Sequence, residues 1–472
     1  MNSNALFSDV QFEQMADEVL QVLGTVGYLV EHPKVKALAL TAGCRESAEG
    51  RVLFDRKQVA ELRTELERQY PPAAGVPAWV HPPYEFTTSF GNLTPKFYDY
   101  ANGRPEIGSR ERMLELVRFA QAEPRITMVT LPLSRQDVEP TLEQLESVVL
   151  MAGVTSKTLG NIDVTVPETV PFLAEMGEVL GQAPGHFVGY CNCINPPLRL
   201  EERTAETMLQ RSRYHSRSMI TSMPCLGGSG PVDIHGAVVL ATAEIVGGLI
   251  LSRIIDPLAP LLGYIACVQL DMRTGNPSSS TPQTVRFDAG VYQLMKHAFG
   301  GGTAVGGRSY ITAKRPGLQA TYERFLKAVG FSALVDRYDL RLNGSGNLDN
   351  GSMISPEQFL LDCEMTEGLI ATFTAPVVSP AGDTVARIRD GVLNAGGNFM
   401  TQEHTLEHYR DEMWDPQLFR RLGDTRTEPE ILDACHAKYL QTLAAYQPAA
   451  HPAPVVHDLE KILARARKTL LK

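Results

Sequence analysis

The sequence predicts an α/β fold: a parallel (β/α)8 barrel of the TIM type, with an N-terminal helical extension and a C-terminal helical tail. Three observations carry this. From about residue 91 onward, short β-rich runs alternate with helical patterns. No two β-rich runs stand next to each other as a hairpin would place them, so the sheet should be parallel. The segment 219–264 spells out one complete unit. A β-rich run (219–223) meets a turn containing Gly227, Gly228, Gly230 and Pro231, an apolar helix follows at about 234–253, and a second run at 261–267 reads as the next strand. That helix is long enough to cross over between parallel strands. The turn opens it at its N-terminus, where unpaired N–H groups are expected to meet an anionic ligand group.

In chain order, residues 1–90 read as the helical extension. Apolar residues recur at helical spacing in 9–27 (Val10, Phe12, Met15, Val19, Val22, Leu23), and 35–42 and 57–70 repeat that character. Pro71, Pro72, Pro77, Pro82 and Pro83 then mark a loop into the main body, 91–425. Its strands are expected at 126–133, 158–164, 187–193, 219–223, 261–267, 303–306 and 340–344. The helices between them include 141–151, 168–180, 201–214, 284–299 and 317–335. The eighth strand is expected before Arg125, near 96–100, or after Met365. Repetition on this scale favours a closed barrel over an open doubly wound sheet, and no GxGxxG follows an early strand. The tail, 426–472, reads as two helices split by Pro448, Pro452 and Pro454.

Bulk composition narrows the functional classes. The chain has 472 residues, 43% hydrophobic and 21% charged, which is the profile of a packed globular protein. The net charge of −10, without a basic stripe, argues against nucleic-acid binding. Seven scattered cysteines predict free thiols in a reducing compartment. The first twenty residues show neither a basic nor an apolar signal region. The apolar run 237–251 contains Glu244 and reads as a buried crossover helix, not a membrane span. A cytoplasmic protein is expected.

In a barrel, chemistry sits at the C-terminal ends of the strands. Residues 299–309 carry five glycines that let a ligand approach the backbone, and Arg308 could clamp a carboxylate; a surface arginine on a turn is the plain alternative. Residues 340–351 set Asn343, Asn347, Asp349 and Asn350 among glycines, with Asn343 nearest the expected strand end; turn formation is the competing role. In 190–198, Cys191 and Cys193 share a strand face, while Asn192 and Asn195 could face a ligand. A metal there would need His186 or His215, and neither completes a known spacing. His404 and His408 stand four apart on a helix beside Glu403 and Glu407, a spacing that could bind metal. Packing of Leu406, Tyr409 and Trp414 explains that helix better. No GxSxG, HExxH or GxxxxGK[ST] occurs.

Six segments taken in order resemble the trimethylamine methyltransferase family, in particular its members that lack pyrrolysine and act on quaternary amines such as glycine betaine. They are GYLVEHPKVKALALTAGC (27–44), FYDYANGRP (97–105), CLGGSGPVDIHGAVVLATAE (225–244), the run from Ala313 to Glu323, SPEQFLLDCEM (355–365) and NFMTQEHTLEHYRDEMWDP (398–416).

The resemblance implies a (β/α)8 barrel that moves a methyl group from an amine nitrogen to the Co(I) of a corrinoid. The corrinoid belongs to a separate small protein, so this chain is expected to bind no cofactor tightly. The chain contains only the twenty common residues, a departure from the pyrrolysine branch that puts trimethylamine in doubt as substrate. A quaternary ammonium needs no further activation, because displacement releases a neutral tertiary amine. Placement and exclusion of water then suffice.

The pocket implied is an aromatic and carboxylate cage for the cation. Tyr98 is the first aromatic candidate, with Phe97 and Tyr100 as alternates. Arg308, Asn195 and Asn343 are the candidates for a betaine carboxylate, and Asn347 completes the substrate-binding set; no catalytic residue and no metal ligand is assigned. The expected partners are a small quaternary amine and a cognate corrinoid protein, with neither nucleic acid nor membrane. A homo-oligomer is compatible with the apolar helices. Rival readings are the same chemistry on carnitine, proline betaine, choline or γ-butyrobetaine, a non-catalytic betaine-binding barrel, and a zinc enzyme that methylates a thiol.

Overall fold

The structure, a computed structural model, describes residues 4–71, 86–189, 191–306, 309–335, 345–374, 383–420 and 426–471. It is a mixed α/β molecule built around two arcs of parallel strands. The first arc orders β1 (Thr88–Phe90), β2 (Ile126–Val129) and β3 (Thr158–Leu159). The second orders β4 (Cys191–Ile194), β5 (Ser218–Ser222), β6 (Leu261–Ile265) and β7 (Thr303–Val305). The residues after β3 meet those before β4: Ile162 N–H donates to Phe187 O at 2.8 Å, and Asn161 Nδ2 donates to Gly189 O at 3.1 Å.

Six strands thus form where sequence patterning expects them. The seventh expected run, 340–344, lies outside the described residues. The remaining strand is β1, which lies before Arg125 but ahead of 96–100. Residues 96–99 form instead an antiparallel hairpin with Arg104–Ile107, and no strand is found after Met365 among the described residues. β1 escapes pattern reading because it is three residues long and follows a proline-rich run.

A helix follows each strand: α1 (Arg110–Ala122), α2 (Glu143–Ala152), α3 (Val170–Val179), α4 (Glu202–Arg211), α5 (Ile234–Ile255), α6 (Pro282–Ala298) and α7 (Leu318–Leu334). α5 matches the expected apolar crossover and is largely buried, packing on β5 and β6. Two glycines make the close packing possible. A Cβ at Gly248 would lie 2.6 Å from Ile220 of β5, and one at Gly247 would lie 2.5 Å from Tyr28 of the N-terminal extension. Both glycines tax helix propensity by about 1 kcal/mol each, a cost that burial of a side chain such as Ile220 (about 1.5–3 kcal/mol) outweighs. The N-terminus of α5 does not await an anion: Asp233 caps it, accepting from Gly236 N–H at 2.8 Å, and a second negative charge there would be repelled.

The extension closes the end where the strands begin. Its helix Arg56–Gln69 leads to Tyr70, whose hydroxyl donates to Leu261 O at 2.6 Å. Two of the glycines expected to admit a ligand, Gly300 and Gly302, serve this contact instead. A Cβ at Gly300 would lie 2.5 Å from Arg63 O, and one at Gly302 would lie 2.8 Å from the Tyr70 ring. The tail forms the two expected helices. Glu428–Ala444 packs on α1 and on Pro356–Thr372, and Ala453–Leu470 packs on α2 and α3.

Candidate functional site

The inward faces of both arcs enclose a cavity of about 730 Å3. That lies within the range of small-molecule sites, about 300–1,000 Å3. Alternate residues reach it, as strand geometry requires: Cys191 and Cys193 from β4, Met219 and Thr221 from β5, Leu262 and Tyr264 from β6. Small side chains at Ser89, Gly91, Gly189, Ala266 and Ala304 keep it open where a packed barrel would be filled.

Among the described residues two aromatic rings stand in this wall, and each depends on a glycine. Tyr264 lies against Gly306, where a Cβ would overlap the ring; Tyr310 lies on Gly351, whose Cβ would fall 2.5 Å from Cε1. The segment carrying Tyr310 is fixed by a row of buried charges on α7. Glu323 accepts from Thr312 N–H at 2.6 Å and Ala313 N–H at 3.0 Å. Arg324 donates to Ser309 O at 3.0 Å and to Asn347 O at 2.9 Å, and Lys327 donates to Tyr310 O. Charge-assisted bonds of this kind hold a loop more firmly than neutral ones. Burial pushes Lys327 down and its neighbour Asp288 up, and their mutual attraction opposes both shifts.

Among the described lining residues, Asp163 and Arg217 are the two with formal charge. Asp163 follows β3, and its carboxylate takes no hydrogen bond from a described residue; only its backbone carbonyl accepts one, from Gln144. Burial raises the Asp163 pKa, and the guanidinium of Arg211 behind β4 pulls it partly back. Asn92, Asn161 and Asn350 add uncharged polar groups, as do Ser89, Thr130, Thr221 and Ser309.

The described members of the set expected from sequence lie elsewhere. Tyr98 packs in a small core with Ile311, Leu348 and Met353. Phe97 is buried beneath the Arg112 guanidinium, 4.6 Å from its centroid, and Tyr100 donates to Asp433 at 2.6 Å. Asn195 donates to Glu201 at 2.8 Å. Asn347 is 1% exposed in a short strand beside that same core. None of these lines the cavity, and the structure does not gather Tyr98, Asn195 and Asn347 into one site. Arg308 and Asn343 lie outside the described residues. Asn192 points away from the cavity, bonding Ser218 and Arg211. Asn350, weighed as a turn former, does reach the cavity, from a turn in which both it and Asp349 have positive φ.

Asp163, Tyr264 and Tyr310 line the cavity and were not singled out from the sequence. Asp163 and Tyr264 fall inside expected strands, 158–164 and 261–267. The available signal was which alternate residues face inward, and parallel strands buried on both faces hide it. The rings of His404 and His408 lie with centroids 4.5 Å apart and are tilted by 52° to one another. Among the described residues, no group of three or more His, Cys, Asp or Glu is arranged to hold a metal. The expected packing of their helix also fails: Leu406 and Tyr409 are exposed, and Trp414 alone packs, against Gly368. All seven cysteines are free, as expected.

A family profile described as trimethylamine methyltransferase (MTTB) matches residues 1–470. A glycine betaine methyltransferase of Desulfitobacterium hafniense (strain Y51) is 26% identical over 278 residues, 58% of this chain and 56% of that protein, so the match spans about half its length. A trimethylamine methyltransferase, MttB, of Desulfitobacterium hafniense (strain DSM 10664 / DCB-2) is 22% identical over 476 residues, covering 97% of this chain and 93% of the other. The crystal structure of the Methanosarcina barkeri monomethylamine methyltransferase (MtmB) superposes with a TM-score of 0.40 at 10% identity, covering 92% of this chain and 93% of that one.

Proposed function

The chain belongs to the trimethylamine methyltransferase (MTTB) family of methyltransferases, and from that premise we propose that it removes a methyl group from a small quaternary amine, glycine betaine first, and releases the tertiary amine. We read the two arcs as parts of one (β/α)8 barrel with the cavity as its substrate site. The observation that carries the reading is the pairing, inside that cavity, of a carboxylate without a described hydrogen-bond partner and two tyrosine rings. A trimethylammonium group has no N–H to donate. It is recognised by charge and by aromatic faces, at about 0.5–2 kcal/mol per ring. Asp163 supplies the charge; Tyr264 and Tyr310 supply the faces. Arg217, of opposite sign on the same wall, suits the carboxylate of a betaine and favours a zwitterion over choline.

The protein's part in the reaction is placement. The glycine beneath each ring and the α7 bonds behind Tyr310 preset the cage before the ligand arrives, so little ordering remains at binding. The leaving amine departs neutral, so no side chain need deliver a proton to it. Apolar neighbours such as Met128, Met219 and Leu262 keep water from the reacting methyl group. A corrinoid carried by a partner protein supplies, when docked, the reduced cobalt that accepts the methyl group. The cavity suits the amine, and among the described residues no metal-binding set competes for that role.

The test is to incubate the purified chain with a reduced corrinoid protein and a panel of amines: glycine betaine, carnitine, proline betaine, choline, γ-butyrobetaine and trimethylamine. Dimethylglycine is expected from glycine betaine. Failure to form a demethylated amine from any member of the panel overturns the reading.

A further inference from the structure

The cavity wall carries three thiols that placement of an amine does not use: Cys267, buried and turned to Thr284 O at 3.5 Å, and a close pair on β4. Cys191 and Cys193 alternate on β4 with the outward-facing Asn192, and both line the cavity. Their sulfurs are 3.4 Å apart, and Thr221 Oγ1 on β5 lies 2.7 Å from Cys191 Sγ. The strand beneath them is pinned, with Cys191 opposite Met219 and Cys193 opposite Thr221. We propose that Cys191 and Cys193 form a chelating dithiol site that binds a trivalent thiophile, such as an organoarsenical, inside the cavity.

The geometry separates this from a disulfide. A disulfide needs β-carbons within about 3.5–4.5 Å. Same-face neighbours on a strand are two residues, about 6.6 Å, apart along the backbone. Closing an S–S bond would therefore require the paired strand to buckle. One arsenic atom between the sulfurs bridges them with the backbone in place. The step balances without a redox partner: two S–H bonds break, two As–S bonds form, and the two protons leave with the arsenoxide oxygen as one water, arsenic staying trivalent. Soft thiolate-type ligands suit such a centre. Hydrogen bonding to Cys193 and burial push the Cys191 thiol well up, so Cys191 meets the reagent as a neutral thiol and is a poor methyl acceptor. The proposal does not depend on methyl transfer or on the identity of the amine.

Phenylarsine oxide is the probe, read by intact mass under non-reducing conditions on the full chain. One adduct per chain, at the mass of the reagent less one water, is expected at equimolar reagent. C191S and C193S should each weaken it by about 100-fold or more, because the second sulfur no longer acts at high effective concentration. C225S, at a half-buried thiol outside the cavity wall, should retain the adduct. Melting curves of the serine variants matching wild type exclude misfolding as the cause of loss. Absence of an adduct in the wild type, or its persistence in the C191S/C193S double variant, overturns the proposal. So does ready formation of a Cys191–Cys193 disulfide with a mild oxidant.

Discussion

Replacing Asp163 by asparagine should weaken ligand binding while leaving the fold as stable as before or more so. The carboxylate lines the cavity, accepts no hydrogen bond from a described residue, and sits in surroundings that raise its pKa through burial. Two unit charges 5 Å apart at an effective dielectric of about 20 attract by roughly 3 kcal/mol. Removing a charged partner typically costs about 1.5–3 kcal/mol of that. The expected change is therefore a 10- to 150-fold rise, roughly, in the Kd of glycine betaine. Stability moves the other way. A carboxyl whose folded pKa is raised contributes stability that is present below its unfolded pKa and is lost as pH rises through the folded value. Asparagine cannot ionise and avoids that loss, so the variant's Tm should equal or exceed the wild type's at pH 8. Wild-type affinity should also climb as pH rises through the Asp163 titration, and the variant should lack that dependence. Calorimetric titration between pH 5 and 8, paired with thermal melts, reads both effects. An unchanged Kd with an unchanged pH profile would refute the role given to Asp163.

Arg217→Ala should raise the Kd for glycine betaine while leaving choline binding nearly unaltered, as calorimetry with the two ligands would reveal. A Cβ at Gly306 collides with the Tyr264 ring; Gly306→Ala should lower stability by about 1–3 kcal/mol and displace the ring, weakening ligand binding in the same protein. Glu244, on α5, accepts from Leu198 N–H at 2.9 Å and Ser222 Oγ at 2.6 Å, and burial pushes it up to about 7. The stability it confers is present below about pH 4.5 and is lost as pH rises to about 7, by roughly 3 kcal/mol. Glu244→Gln, whose amide can donate to Ser222, should flatten urea-derived stability across that window; an unaltered slope would show that Glu244 is not the group responsible.

Local pattern was enough for most of the framework. The turn and apolar helix after Met219 announced a crossover, and α5 runs Ile234–Ile255 where about 234–253 was expected. The last helix pair was legible from its prolines, and β6 and β7 from β-rich runs among turn residues. The resemblance of six segments pointed to the family that matches residues 1–470. These features are recorded within about twenty neighbouring residues, because propensity, capping and periodicity act over a turn or two of chain. The cavity is different in kind. Asp163, Tyr264 and Tyr310 come from three strand ends about 50–150 residues apart, and nothing local brings them together. Strands buried on both faces leave no alternation to reveal that Cys191 and Cys193 look inward while Asn192 looks outward. The FYDYANG segment resembled a family motif, yet its Tyr98 went to a side core because residues 96–99 paired with 104–107 instead of joining an arc. The chain's own letters determined that a parallel α/β protein of this family would form. Which side chains meet at its centre was decided by register and by how the arcs curve, since a one-residue change of facing exchanges the ligand wall for the packed exterior.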